Sequence, residues 1–223
     1  MQTGYRIIVS ALGWFAIILQ YSLIASTRSG PDLVAWTINY FSFFTTIGNI
    51  LVALAMSLPW LAPRSQLGRW FLRPSVRTVI VAYVIVVGVV YHVMLRNLYN
   101  PQGWRLACVI ILHYVIPPLF VIDWLAFVQK RDLSWKILFG ALALPVLYIA
   151  WTLAHGAVTG FYPYPFINVA RFGYAQVLMT IGAMIAAFVC LMLALVGIGR
   201  LVSASSPAQA SSPAKAGDPI RVD

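Results

Sequence analysis

Thr45, in the second apolar segment, and His113, in the fourth, stand out in a sequence that carries few other reactive groups. A hydroxyl and an imidazole are the minimal parts of an activated nucleophile and its base. A polar side chain in hydrocarbon costs free energy unless a partner or a function holds it there. His113 lies about seven residues inside its segment and Thr45 about eleven inside its own. At about 1.5 Å per residue they are expected roughly 10 and 16 Å deep, in overlapping layers. Neutral imidazole is the form that accepts a hydroxyl proton.

Ser42, Thr45 or Thr46, and Asn49 recur at spacings of three and four. That spacing predicts a polar stripe along one helix face. Thr46 is spaced from Asn49 as well as Thr45 is, and is the alternative nucleophile. Ser42 and Asn49 are candidates for holding a substrate. The stripe has a plainer reading, because Ser, Thr and Asn bond helix to helix in membranes at about 0.6 kcal/mol each.

His92 in the third segment and His155 at the end of the fifth are expected in the same half as His113. They either line one cavity with Thr45 or, with His113, ligate a metal or haem. Arg96, beside Asn97 and Tyr99, suits an anionic headgroup or carboxylate. Pro117 and Pro118 remove backbone donors one turn after His113. The carbonyls of residues 113 and 114 are then free to face a cavity or ligand. Asp123 is about 15 Å along the axis from His113. That is too far to orient the imidazole, and Asp123 is expected to pair with an arginine or lysine.

The elements that must position these groups follow from composition. The chain is 61% hydrophobic and 9% charged, with mean hydropathy +0.87. An ordinary soluble domain carries about 25% charged residues. Six apolar runs, at roughly 5–26, 34–58, 76–95, 106–128, 136–155 and 173–200, are each long enough to cross hydrocarbon. The expected fold is all-α: one polytopic membrane domain over 1–202, its six transmembrane helices enclosing an intramembrane cavity. The first run is longer than a signal core and is read as an anchor. Residues 203–223, rich in Ser, Ala and Pro, read as a disordered cytoplasmic tail.

The net charge of +10 invites a nucleic-acid partner, but its placement argues against one. With the amino terminus inside, eleven of the fifteen cations fall in inner segments and four (Arg28, Arg96, Arg105 and Arg171) in outer loops. That bias sets both termini in the cytoplasm by the positive-inside rule. Residues 59–75, with Trp60, Trp70 and three arginines outside the third run, are expected along the inner headgroup layer. The loop "GFYPYPFINVARFG" reads as an aromatic anchor, or as a lid over a site open to the outside. Cys108 and Cys190 lie inside apolar runs and read as buried hydrophobes, not as a disulfide or metal site. Glutamate is absent, as are the nucleophile elbow, the paired-histidine zinc motif and the glycine-rich nucleotide loops. No cofactor is called for.

Three segments together resemble one family. "YFSFFTTIGNILVAL", "HYVIPPLFVID" and "YIAWTLAHGAVTGFYPYPF" are similar, in order, to motifs of the androgen-induced-protein family, which includes the androgen-dependent TFPI-regulating protein. The resemblance is closest to its bacterial relatives, which implies a bacterial inner (cytoplasmic) membrane. It implies six membrane helices and a threonine hydrolase that cleaves fatty acid esters of hydroxy fatty acids. Carried over, Thr45 takes the nucleophile position and His113 the base. The animal members carry two histidines close before V-T-G, whereas this chain has one, His155, slightly earlier. The expectation is an intramembrane lipid ester hydrolase. The alternatives are a lipid-binding or transport protein without catalysis, and a haem or metal protein using His92, His113 and His155.

Overall fold

A computed structural model describes residues 1–130 and 133–205, the side chains of 202–205 excepted. The described elements are all helical. They are α1 (Gln2–Ala25), α2 (Gly30–Phe41), α3 (Phe44–Leu61), α4 (Gln66–Trp70), α5 (Pro74–Val90), α6 (Trp104–Ile110), α7 (Ile116–Phe127), α8 (Ile137–Thr159) and α9 (Val169–Ser205). A π turn, Tyr91–Leu95, continues α5, and a second, Ile111–Val115, joins α6 to α7. Six helical stretches are long and apolar enough to cross a membrane: α1, α3, α5 with its π turn, α6 through α7, α8, and α9 as far as Leu201. The tail expected at 203–223 lies outside the described residues beyond Ser205.

Six alternating crossings place Gln2 and Ser205 at one end of the bundle, the terminal end. α5 is its centre, with half of its apolar window buried against 11% for α8. The outward face of α8 leaves Phe139, Leu147 and Val158 exposed, as a lipid-facing helix does.

One expected span is cut. The run at 34–58 is two helices, broken where Ser42 turns and Phe43 is extended (φ −82°, ψ 128°). The Ser42 hydroxyl donates back to the Ile38 carbonyl at 2.8 Å and accepts from Trp151 Nε1 at 2.9 Å. A serine that bonds within its own turn competes with helix continuation. The four-residue stripe is therefore corrected: Ser42 belongs to the break, and only Thr45, Thr46 and Asn49 stand on α3. Thr45 is the second residue of its spanning helix rather than the eleventh.

Prolines inside the spanning helices explain much of the packing. Each removes a donor and frees the carbonyl four residues earlier, which hydrocarbon cannot solvate. Pro59 frees Ala55, whose carbonyl accepts from Arg77 Nη1 at 3.0 Å. Pro145 frees Ala141, whose carbonyl accepts from the Tyr83 hydroxyl at 2.8 Å. Both carbonyls are satisfied by α5, which is why the central helix carries an arginine and a tyrosine. Tyr83→Phe leaves the Ala141 carbonyl buried without a donor and is expected to cost about 1–3 kcal/mol. In a Pro145→Ala background the restored amide takes over and the cost falls below about 1 kcal/mol. Thermal unfolding of the four proteins in one detergent measures the coupling. Equal losses in both backgrounds would refute it.

At the terminal end, Asp123 is wholly buried between two arginines. Arg6 Nε meets Oδ1 at 2.8 Å, and Arg77 bonds Oδ2. The expected arginine partner is thus present twice, within the bundle. Arg77 also donates to the Phe71 carbonyl at 3.3 Å and lies over the Phe120 ring. These contacts tie α1, α5 and α7 together. α4 lies across the end of α3, where the Ser65 hydroxyl accepts from Gly68 N–H and a Cβ on Gly68 would overlap the Ala62 carbonyl.

Candidate functional site

At the far end, α3, α5, α8, α9 and the loop before α9 bound a pocket. Its walls are mostly apolar, with Val86, Val90, Ile149, Ile181, Ile185 and Phe188 among them. Four hydroxyls interrupt that surface: Thr45 from α3, Tyr148 and Thr152 from α8, and Tyr164 from the loop. Tyr148 and Thr152 share a face of α8 because they are four residues apart. The lining carries no Lys, Arg, His, Asp or Glu.

Thr45 starts α3, where the first backbone N–H groups have no helical acceptor. Its N–H donates to the Tyr164 hydroxyl at 3.2 Å, and its own hydroxyl lies 3.3 Å from the same oxygen. Burial pushes the Tyr164 phenol above its ordinary pKa, opposed by its contacts with Thr45 and Phe44. At neutral pH it is a neutral hydroxyl and not a base. The Tyr148 hydroxyl lies near Thr152, Tyr164 and the Phe44 backbone. Neither the Tyr148 hydroxyl nor the Thr152 hydroxyl makes a hydrogen bond of normal length and angle, although both atoms are buried and the two lie near each other. Thr152 is only 1% exposed.

The loop that brings Tyr164 is folded inward. Gly160 leaves α8 in the left-handed region (φ 74°), which a side chain would strain. Tyr162 then packs over Gly156, where a Cβ would overlap its ring. Tyr164 stacks flat on Phe166 (5.3 Å between centroids) and edge-on to Phe43 (5.7 Å). The loop thus contributes Tyr164, Phe166 and Ile167 to the pocket lining.

His113 stands apart from this pocket's lining. It lies in the π turn that precedes Pro117 and Pro118, and it is 8% exposed. Its ring packs on Tyr91 with centroids 4.0 Å apart, and Nδ1 bonds the Val109 carbonyl at 3.0 Å. A carbonyl only accepts, so Nδ1 carries the proton and Nε2 the lone pair. No hydrogen bond joins His113 to Thr45. The link between their surroundings is Asn49, whose Nδ2 donates to the Thr45 carbonyl at 2.9 Å and to the Leu112 carbonyl at 3.2 Å. Its Oδ1 is buried without a partner. The carbonyl freed at His113 does not face a cavity. It lies against Gly88, where a Cβ would come within 3.2 Å.

The remaining candidates disperse. Thr46 is buried, with its hydroxyl toward Tyr40, and it does not line the pocket. Ser42 is committed to Ile38 and Trp151. His155 bonds Asn39 Oδ1 at 2.9 Å and stacks on Trp151, pinning α2 to α8. His92 is exposed between the Tyr114 hydroxyl and Arg96, at 3.2 and 3.1 Å. Among the described residues, no three His, Cys, Asp or Glu side chains gather as a metal-binding group. Cys108 is buried and Cys190 exposed, both as free thiols.

Sequence reasoning singled out Thr45 but not Tyr148, Thr152 or Tyr164. Their signal was the four-residue spacing on α8 and a tyrosine held between two prolines. No protein-family model, curated protein or solved structure matches this chain.

Proposed function

We propose that this is a lipid-binding membrane protein whose pocket holds an acyl chain with its polar head at Thr45, Tyr148, Thr152 and Tyr164. One observation carries the reading. Two buried hydroxyls that make no hydrogen bond of normal geometry, on Tyr148 and Thr152, line a mostly apolar pocket. Buried polar groups are nearly always hydrogen-bonded, and an amphiphile with an oxygen at one end would satisfy them. The pocket lies at the far end of helices apolar enough for a bilayer, so the chain would reach it from the membrane. The cation bias supports a cytoplasmic location for both termini, and the resemblance to bacterial relatives supports a bacterial inner membrane. The three motifs support membership in the androgen-induced-protein family.

Ile149→Trp fills the apolar part of the pocket. It is expected to cut the binding of methyl palmitate by the detergent-purified protein by about tenfold or more, with thermal stability changed little. Undiminished binding would reject the pocket.

Ester hydrolysis is the second reading, favoured by the position of Thr45. Its hydroxyl lines the pocket beside the first-turn N–H groups of α3, of which that of Thr45 is held by the Tyr164 hydroxyl, and such N–H groups are the kind of donor that stabilises an oxyanion once freed. Thr45 Oγ would attack the ester carbonyl. Its proton would pass to His113 Nε2 and from there to the departing alcohol. Water would then release the acid from the acyl-threonine. Because His113 sits behind the Asn49 strut, this proton path needs a bridging water or a shift of the Tyr91–His113 stack.

A further inference from the structure

We infer that the start of α3, together with the hydroxyls of Tyr148 and Thr152, forms a binding site for the carboxyl head of a single-chain fatty acid. The inference rests on the acyl-chain reading of the pocket and specifies which head the pocket selects.

The donors come from two elements. The 18-residue helix α3 opens with Phe44 and Thr45, both lining the pocket, and its first N–H groups have no helical acceptor. The aligned peptide dipoles of such a helix place positive potential at that end. Opposite stands Thr152, 1% exposed, with the Tyr148 hydroxyl next to it, and neither hydroxyl makes a hydrogen bond of normal geometry. In this structure the Tyr164 hydroxyl occupies the Thr45 N–H. It sits on the loop that lines the pocket, between α8 and α9, so a ligand oxygen can take its place without unfolding a helix.

The chemistry of the set selects the head. Backbone N–H groups only donate, so the ligand must present acceptors, and a hydroxyl can donate to the same group. A carboxyl offers two oxygens to this ring of donors. A phosphate carries more charge, and the lining holds no lysine or arginine to balance it. A choline or ammonium head would find no carboxylate in the lining. An alkane would leave both hydroxyls unsatisfied, which is costly for buried groups.

The test uses the full chain in detergent, titrated calorimetrically with palmitate, methyl palmitate and hexadecane. Palmitate is expected to bind about tenfold or more tighter than hexadecane, with the methyl ester between them. Thr152→Val and Tyr148→Phe each remove one hydroxyl at nearly constant volume. Each is expected to weaken palmitate about three- to tenfold and to leave hexadecane unchanged, which also shows that the pocket is intact. If the three probes bind alike, or the variants weaken all three alike, the carboxyl site is refuted while the acyl pocket stands. If none of the three binds, the acyl pocket and the carboxyl site fall together.

Discussion

Asp123→Ala is expected to destabilise the protein by about 3–5 kcal/mol, because it strips the counter-charge from two buried guanidinium groups at once. Arg6 and Arg77 are 7% and 1% exposed, and the aspartate is the acidic partner of both. Removing it leaves adjacent positive charges in a place water does not reach. Arg77 cannot turn outward to escape, because it also supports the carbonyls of Ala55 and Phe71. The first of these is the carbonyl that Pro59 leaves open, so the damage would spread from α7 to α3.

The two arginines should respond differently to truncation. Arg6→Met leaves an Arg77–Asp123 pair with matched charge, and is expected to cost about 1–2 kcal/mol. Arg77→Met exposes the Ala55 carbonyl as well as halving the pairing, and should approach the aspartate variant. Thermal unfolding of the three variants in one detergent gives the order. Asp123→Ala within about 1 kcal/mol of wild type would mean that the cluster is hydrated and that its burial is not an energetic fact.

Several of these features were legible in the sequence, for physical reasons. Crossing helices are written in hydropathy, which is local, so the spans at α1, α5, α8 and the α6–α7 pair fall close to their expected bounds. That Asp123 needs an arginine follows from the cost of an isolated charge in hydrocarbon. Its partners, 117 and 46 residues away, were set by packing. The break before α3 was invisible to hydropathy because Phe41, Phe43 and Phe44 keep the run apolar through it. The break depends on Trp151 and on Ser42's own back-bond.

The candidate site was half legible for the same kind of reason. Thr45 stands out through its spacing from Ser42 and Asn49, whereas Tyr148 and Thr152 read as ordinary helix surface until α8 turns them toward Phe44. The pairing of Thr45 with His113 rests on depth and on the family resemblance, and depth does not fix azimuth. The two π turns, which rotate side chains relative to a regular helix, carry His92 and His113 to faces that spacing did not predict.

The sharpest division between binding and catalysis is turnover of para-nitrophenyl palmitate by purified protein. If Thr45 is a nucleophile, Thr45→Ala should abolish turnover, while Thr45→Ser, which keeps an attacking hydroxyl, should retain part of it. Thr46→Ala should change the rate less than about threefold, because that hydroxyl is turned to Tyr40 and away from the pocket. His113→Ala should lower the rate about 10²–10⁴-fold if its Nε2 takes the proton. It should leave the binding of methyl palmitate unchanged, because His113 does not line the pocket. Asn49→Ala provides the finer test. It cuts the strut between the Thr45 and Leu112 carbonyls without touching either reacting group, so on the hydrolytic reading it should lower kcat with little change in KM. Full turnover in Thr45→Ala would exclude the hydroxyl from the chemistry. Tight binding of methyl palmitate with no acid released by the wild-type protein would leave the pocket as a receptor, with Thr45 as one of the donors that hold the head.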